Sequence, residues 1–132
     1  MSFLLDTDIC SAHLKQRPGL THRFIQHMGR LHISAITLGE LSTWVSRKNA
    51  SPKRLAMLQM FLSDVVVLDV DFRVAKRFGQ LRAVLLDTGQ PTPEMDLLIA
   101  ATALEHGLVL ITHNVADYAN IPGLTIEDWL VP

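Results

Sequence analysis

Apolar residues along this chain fall into short continuous runs, separated by stretches in which they recur every three or four positions. "SFLL" at 2–5 predicts a short buried strand ending at Asp6, and "TDICSAHLK" opens a helix just after it, with Asp8 as the expected cap. Pro18 and Gly19 punctuate that helix. In "LTHRFIQHM", Leu20, Phe24, Ile25 and Met28 keep helical spacing; "LHISA" reads as a strand and "LGELSTWVSRK" as the helix that follows. Ser51 and Pro52 have the form of a cap and first helical residue for "KRLAMLQMFL". The β-branched run "VVVLDV" predicts a further strand. "DFRVAKRFGQLRAVLLDTG" then returns to helical period, with Phe72, Ala75, Phe78, Gly79 and Leu85 expected to face inward.

Thr92 and Pro93 predict a cap and first turn for a helix running to about Glu105, which makes Asp96 its fourth residue, close to the face of Ile99, Ala100 and Ala103. Gly107 ends that helix, "LVLIT" is a buried strand, and "LTIEDW" an edge strand with Trp129 as a C-terminal anchor. Strands that alternate with helices and are apolar throughout favour a parallel sheet covered on both faces. In such a fold, sites form at the carboxyl ends of strands, where Asp6 and Asn114 fall.

The 132 residues suit a single domain spanning 1–132, and 48% apolar with 19% charged content excludes a disordered chain. Cys10 is the only cysteine, so no internal disulfide or cysteine zinc site is available, and a reducing cytoplasmic location is expected. No secretory signal and no apolar run of bilayer length appears, so no membrane association is expected. Charge is unevenly placed: residues 1–82 hold all twelve Lys and Arg against six acids, and residues 83–132 hold seven acids and no Lys or Arg. One part can face a polyanion while the acids of the other hold cations.

Four acids stand near element boundaries: Asp6 after the first strand, Glu40 in "TLGELS", Asp96 in "PEMDLLIAA" and Asp117 in "THNVADY". Each has a plainer reading: a turn or cap for Asp6, an exposed helical side chain for Glu40, an Asx turn for Asp117. Asp96 beside a packing stripe is least easily explained that way, and Glu94 is the better candidate for helix charge. Gly39, next to Glu40, is expected to permit close approach of another element. Together the acids are hard oxygen donors of the kind that hold Mg²⁺, with Mn²⁺ as a substitute. Thr7, Thr112 and Asn114 can hydrogen-bond water, phosphate or a carboxylate. Six histidines occur, none in an HExxH motif, and His113 reads as a surface or hydrogen-bonded residue.

In order along the chain, "LLDTDIC", "ISAITLGEL", "GQPTPEMDLLIAATALEHGLVLITHNVADY" and "IPGLTIEDW" resemble the PIN-domain nucleases, in particular the VapC-type toxins of bacterial toxin–antitoxin pairs. The resemblance covers nearly the whole chain. It implies a three-layer α/β/α sandwich with a parallel central sheet, magnesium-dependent endoribonuclease activity and neutralisation by a cognate antitoxin. It assigns Asp6, Glu40, Asp96 and Asp117 as the metal-site acids, with Thr112 and Asn114 as the polar segment after the strand. A homodimer, within a larger complex that binds operator DNA through the antitoxin, is implied as well. Asp8, Pro93, His113 and Tyr118 depart from the family's usual residues.

The implied reaction is attack of water on an RNA phosphodiester, leaving a 5′ phosphate and a 3′ hydroxyl. Arg17, Arg23, Arg47, Lys48, Lys53 and Arg54 are candidates to track the RNA backbone. Phe24, Met28, Trp44, Met57, Met60 and Phe61 are candidates for a partner groove. Two alternatives stay open at this point: a metal-dependent DNA nuclease and an inactive PIN-like interaction domain. A phosphorylated receiver domain is disfavoured, because residues 83–132 contain no lysine to serve its later strands.

Overall fold

A computed structural model describes residues 1–131. Five parallel strands form one sheet: β1 (Phe3–Leu5), β2 (Leu31–Ser34), β3 (Val66–Leu68), β4 (Val109–Ile111) and β5 (Ile126–Glu127), in the order β3-β2-β1-β4-β5. Phe3 pairs with Leu31 on one side and Val109 on the other, so β1 is central. The chain builds outward from β1 to β3 and then returns to the opposite side of β1 for β4. A topological switch point therefore lies between β1 and β4 at their carboxyl ends.

Alternation along β1 divides the core into two layers. Phe3 and Leu5 join a cluster with Ile9, Leu41, Leu58 and Phe61, under α1 (Thr7–Leu14), α2 (Thr21–Gln26), α3 (Ala35–Ser46) and α4 (Pro52–Leu62). Leu4 joins Val74, Leu85, Leu97, Ala100 and Tyr118 on the other face, under α5 (Phe72–Asp87), α6 (Glu94–His106) and α7 (Val115–Tyr118). The result is the expected α/β/α sandwich with a parallel central sheet. Trp129 anchors the C-terminal segment, its ring edge-on to Phe3 at 5.2 Å and stacked on His27. Among the described residues no helix is long and apolar enough to cross a membrane.

Several local expectations are corrected. The inward stripe of α5 is Val74, Leu81 and Leu85 with partial burial of Phe78, whereas Phe72 is 81% exposed and Ala75 and Gly79 face outward. Positions 74, 78, 81 and 85 follow the i, i+4, i+7, i+11 pattern, so a stripe counted from Phe72 was rotated off the core. Leu20 and Phe24 are buried around α2, but Ile25 and Met28 are exposed, because one turn of helix against the core buries only part of a short helix. Helix α3 begins three residues earlier than "LGEL", at Ala35, where the Ser34 hydroxyl accepts from Ile36 N–H at 3.1 Å. Helix α6 has Pro93 rather than Thr92 at its cap and makes Asp96 its third residue. Gly39 faces open space and mediates no close approach. Phe24 and Phe61 lie in the core rather than in a groove, while Trp44 and Met57 are partly covered and Met60 is exposed.

The sequence asymmetry of charge is partly cancelled in space. Arg77 of α5 meets Glu105 of α6 at 3.0 Å, and Arg82 meets Glu94 at the same distance. These pairs are partly exposed and each contributes at most about 1 kcal/mol. Their consequence is chemical: they remove two acids from the pool available to a site.

Candidate active site

The end of β1 delivers Asp6 directly into α1. Its backbone is extended, its side chain accepts from Ile9 N–H at 2.9 Å, and the residue is 3% exposed. Asp6 is thus the helix cap, and Asp8, expected in that role, lies exposed in the first turn. The strand leads into the helix with no intervening loop, so the last extended residue is the one that can reach the free amides. Asp8 instead accepts a hydrogen bond from the Asn114 side-chain amide across the switch point.

After β4, the buried Thr112 hydroxyl accepts from Asn114 N–H at 3.0 Å and sits near enough to the Asp6 carboxylate to lower its proton affinity. One threonine therefore ties the β4 loop to the end of β1. Glu40, on α3, is half-buried and accepts from Thr7 Oγ1 at 2.7 Å; that hydroxyl also lies 3.1 Å from the buried Thr37. Asp96, in the first turn of α6, faces the Tyr118 hydroxyl at 3.4 Å. Asp117 is exposed on the single turn of α7, whose N-cap is Asn114.

These acids share one electrostatic environment. Burial, reinforced by Asp8 and Asp96, pushes the Asp6 carboxyl up from its ordinary 3.8 to about 6, against the lowering effect of Thr112 and the Ile9 amide. Asp96 is raised first by burial and then by Asp117, Glu40 and Asp8, with Tyr118 acting in the opposite direction. The Tyr118 phenol is pushed far above its usual value by burial and by Asp6 and Asp96, so it remains a hydrogen-bond donor. Among the described residues, none of Asp6, Asp8, Glu40, Asp96 or Asp117 has a salt-bridge partner. Uncompensated carboxylates in a partly buried pocket favour protons or a cation.

The donors are all oxygens and the pocket carries excess negative charge, which suits a hard divalent ion. As the side chains stand, no group of three or more His, Cys, Asp and Glu among the described residues is disposed to hold one. The carboxylates are near enough to repel one another but are each held by a neighbour: Asp6 by Ile9 and Thr112, Glu40 by Thr7, Asp96 by Tyr118.

A model of the family described as "PIN domain" matches residues 3–123. The chain belongs to the PIN-domain family. Within it, the chain is of the VapC toxin type: it is 38% identical over 130 residues, 98% of each chain, to a "tRNA(fMet)-specific endonuclease VapC" from Salmonella typhimurium. It is 31% identical over 131 residues to "Ribonuclease VapC2" of Haemophilus influenzae, covering 98% of this chain and 99% of the relative. Among solved structures, a chain of DNA-bound VapBC from Salmonella typhimurium superposes with a TM-score of 0.93 at 38% identity, over 98% of both chains. A chain of VapBC-1 from nontypeable Haemophilus influenzae gives 0.87 at 29%, over 98% of this chain and 99% of that one. A PIN-domain ribonuclease toxin is thus the general function of the VapC type to which this chain is related.

Two participants in the site escape a reading of the sequence by element. Thr37 lies three residues before Glu40 on one helical face, a spacing that was there to be seen. Tyr118 meets Asp96 across 22 positions, and no local pattern announces that contact.

Proposed function

We propose that this chain is a magnesium-dependent endoribonuclease toxin that hydrolyses RNA phosphodiester bonds at the acid pocket and is neutralised by a cognate antitoxin. The observation that carries the proposal is the gathering of Asp6, Asp96, Glu40 and Asp117 into one field without a basic partner, at the switch point of a parallel sheet. Asp6 and Asp96 would hold the ion, with Glu40 and Asp117 as the further carboxylates. A bound divalent cation supplies a Lewis acid that makes water a better nucleophile and offsets charge on the phosphoryl group.

The protein's own groups prepare that chemistry. Asp6 is presented by its capping bond and by Thr112, so its carboxylate is oriented before any ligand arrives. Tyr118 restrains Asp96, and Thr7 restrains Glu40. Burial of Asp6 excludes bulk water from one side of the pocket, while the exposed Asp117 and Asn114 leave the other side open to a polymer.

Two relatives are described as tRNA(fMet)-specific endonucleases, which makes initiator transfer RNA the first substrate to test on this chain. The VapBC assemblies bound to DNA support an antitoxin partner and, through it, an operator-bound complex. Exposed Ile25, Leu55 and Met60 on α2 and α4 supply apolar surface for such a partner. Self-association as a homodimer belongs to the same proposal.

The experiment compares wild type with Asp96→Asn on initiator transfer RNA, a set of other structured RNAs and matched DNA, in Mg²⁺, Mn²⁺ and EDTA. Cleavage of RNA by wild type in either metal, with loss in EDTA and in the folded variant, is expected. Undiminished cleavage by Asp96→Asn would contradict the proposed chemistry.

A further inference from the structure

Beside the acid cluster, and reaching it through Asp8 and Asn114, lies a cavity of about 330 Å³. Asp8 and Asn114 line one part of it, and Ser11, Lys15, Arg17 and His113 are among its other lining residues, with Ala12 and Leu130 as the apolar ones. Asn114 N–H is hydrogen-bonded to the Thr112 hydroxyl, which in turn lowers the proton affinity of Asp6. An extended polymer lying across the acids would therefore continue into it.

Its basic residues are brought together by an unusual turn. Helix α1 ends with Arg17 N–H bonded to Ala12 C=O at 2.9 Å and Gln16 N–H to His13 C=O at 3.0 Å, a Schellman arrangement. The left-handed position is taken by Gln16, at φ 58°, where glycine is the usual occupant. That turn reverses the chain so that Lys15 and Arg17, on either side of it, line the same cavity.

His113 is held in one orientation. Its Nδ1 lies 2.9 Å from Asp128 Oδ2, and Asp128 is itself fixed by accepting from Leu130 N–H at 2.9 Å through its other oxygen. A carboxylate only accepts, so Nδ1 carries the proton that faces Asp128 and Nε2 is the ring atom left for a ligand. A cavity with two cations and a fixed imidazole matches a ribonucleotide, whose phosphate needs positive charge and whose 2′-hydroxyl can both donate and accept.

We propose that this cavity is a nucleotide subsite flanking the cleavage position, in which Lys15 and Arg17 hold a backbone phosphate and His113, oriented by Asp128, hydrogen-bonds a ribose 2′-hydroxyl. The assignment rests on the ribonuclease reading of the neighbouring acids, and it names what makes that site prefer RNA to DNA. Asp128 acts here as a positioning residue.

The test measures binding of a fluorescein-labelled, mixed-sequence 12-nucleotide single-stranded RNA, and of DNA of the same sequence, to the full chain by anisotropy in EDTA, over a series of salt concentrations. Lys15→Ala/Arg17→Ala is expected to weaken both probes by roughly tenfold at low salt and to reduce the salt slope by about 0.7, as for one phosphate on a single strand, whereas Lys76→Ala on α5 controls for loss of a distant charge. His113→Ala is expected to weaken RNA by roughly threefold to tenfold while leaving DNA unchanged. Asp128→Ala is expected to lower the ratio of RNA to DNA affinity in the same sense. Thermal melts establish that each variant is folded.

Binding and salt slope unchanged in the double variant, or no binding of either probe by wild type, overturns the subsite. So does a double variant that loses only a copurifying protein partner, which assigns the cavity to a protein segment. Cleavage of initiator transfer RNA in Mg²⁺ is scored separately. Cleavage with unaltered binding in the variants leaves the ribonuclease reading standing and the subsite refuted, and binding that depends on Lys15 and Arg17 without any cleavage does the reverse.

Discussion

Replacing Asp6 with asparagine should stabilise the metal-free protein at neutral pH while removing its capacity to serve the site. The carboxyl titrates through 3.8 in an unfolded chain and through about 6 in the fold. Between those values the folded state binds the extra proton, so raising the pH strips it at the expense of the folded state. The penalty is absent below about pH 4, grows between about 4 and 6, and is complete above about 6. At about 1.4 kcal/mol per pKa unit, it amounts to roughly 3 kcal/mol.

Asparagine serves as well as aspartate at a helix cap, so the bond from Ile9 N–H survives, and only the favourable charge at the helix terminus, about 0.3–1 kcal/mol, is lost. A net gain of about 2 kcal/mol corresponds to a rise in Tm of roughly 6–10 °C for a chain of this size. Melts followed by circular dichroism in EDTA, at pH 7.5 and at pH 4, measure it. The gap should be present at the higher pH, absent at the lower, and narrowed at pH 7.5 by added Mg²⁺, which benefits wild type alone. A wild type as stable as Asp6→Asn in EDTA at pH 7.5, or a gap that persists at pH 4, would refute the argument that this carboxylate is an unpaid burial cost.

Other consequences are local. Gln16→Gly relieves the left-handed strain at the end of α1 and should raise stability by about 0.5–1 kcal/mol in urea titration; a loss would show that the glutamine side chain contributes more than its backbone costs. Gly79 lies within α5 with open space where a methyl would go, so Gly79→Ala should add about 0.5–1 kcal/mol in the same assay, whereas an inward-facing position would be destabilised. Val74→Ala, at a fully buried position on the true inner stripe, should cost roughly 2 kcal/mol. Tyr118→Phe removes the donor to Asp96 without changing volume, and should lower cleavage rate with little change in Tm.

Periodicity carries information about which element forms and much less about how it is rotated or capped. The short apolar runs around Leu4, Ile33 and Leu110 announced buried parallel strands because both their faces are covered. In α5, aromatic Phe72 and small Ala75 and Gly79 mimicked an inner face, yet the stripe is set by where the Asp71 cap starts the helix. At the site, the acids were legible as types at strand ends and early helical turns. Their mutual field was not, since the effects of Asp96 on Asp6 and of Asp117 on Asp96 depend on strand order. The exchange of roles between Asp6 and Asp8 had the same origin: without the strand pairing, nothing distinguishes a carboxylate that caps its helix from one that crosses to Asn114.

The central claim is that these carboxylates form one cation site. A crystal structure of the full chain soaked in Mn²⁺, with anomalous diffraction measured at the manganese edge, tests it most directly. The account predicts an anomalous peak within coordination distance of both Asp6 and Asp96, absent in crystals of Asp6→Asn. Ordered water between those carboxylates, with manganese found only elsewhere in a protein that still cleaves RNA, would contradict it.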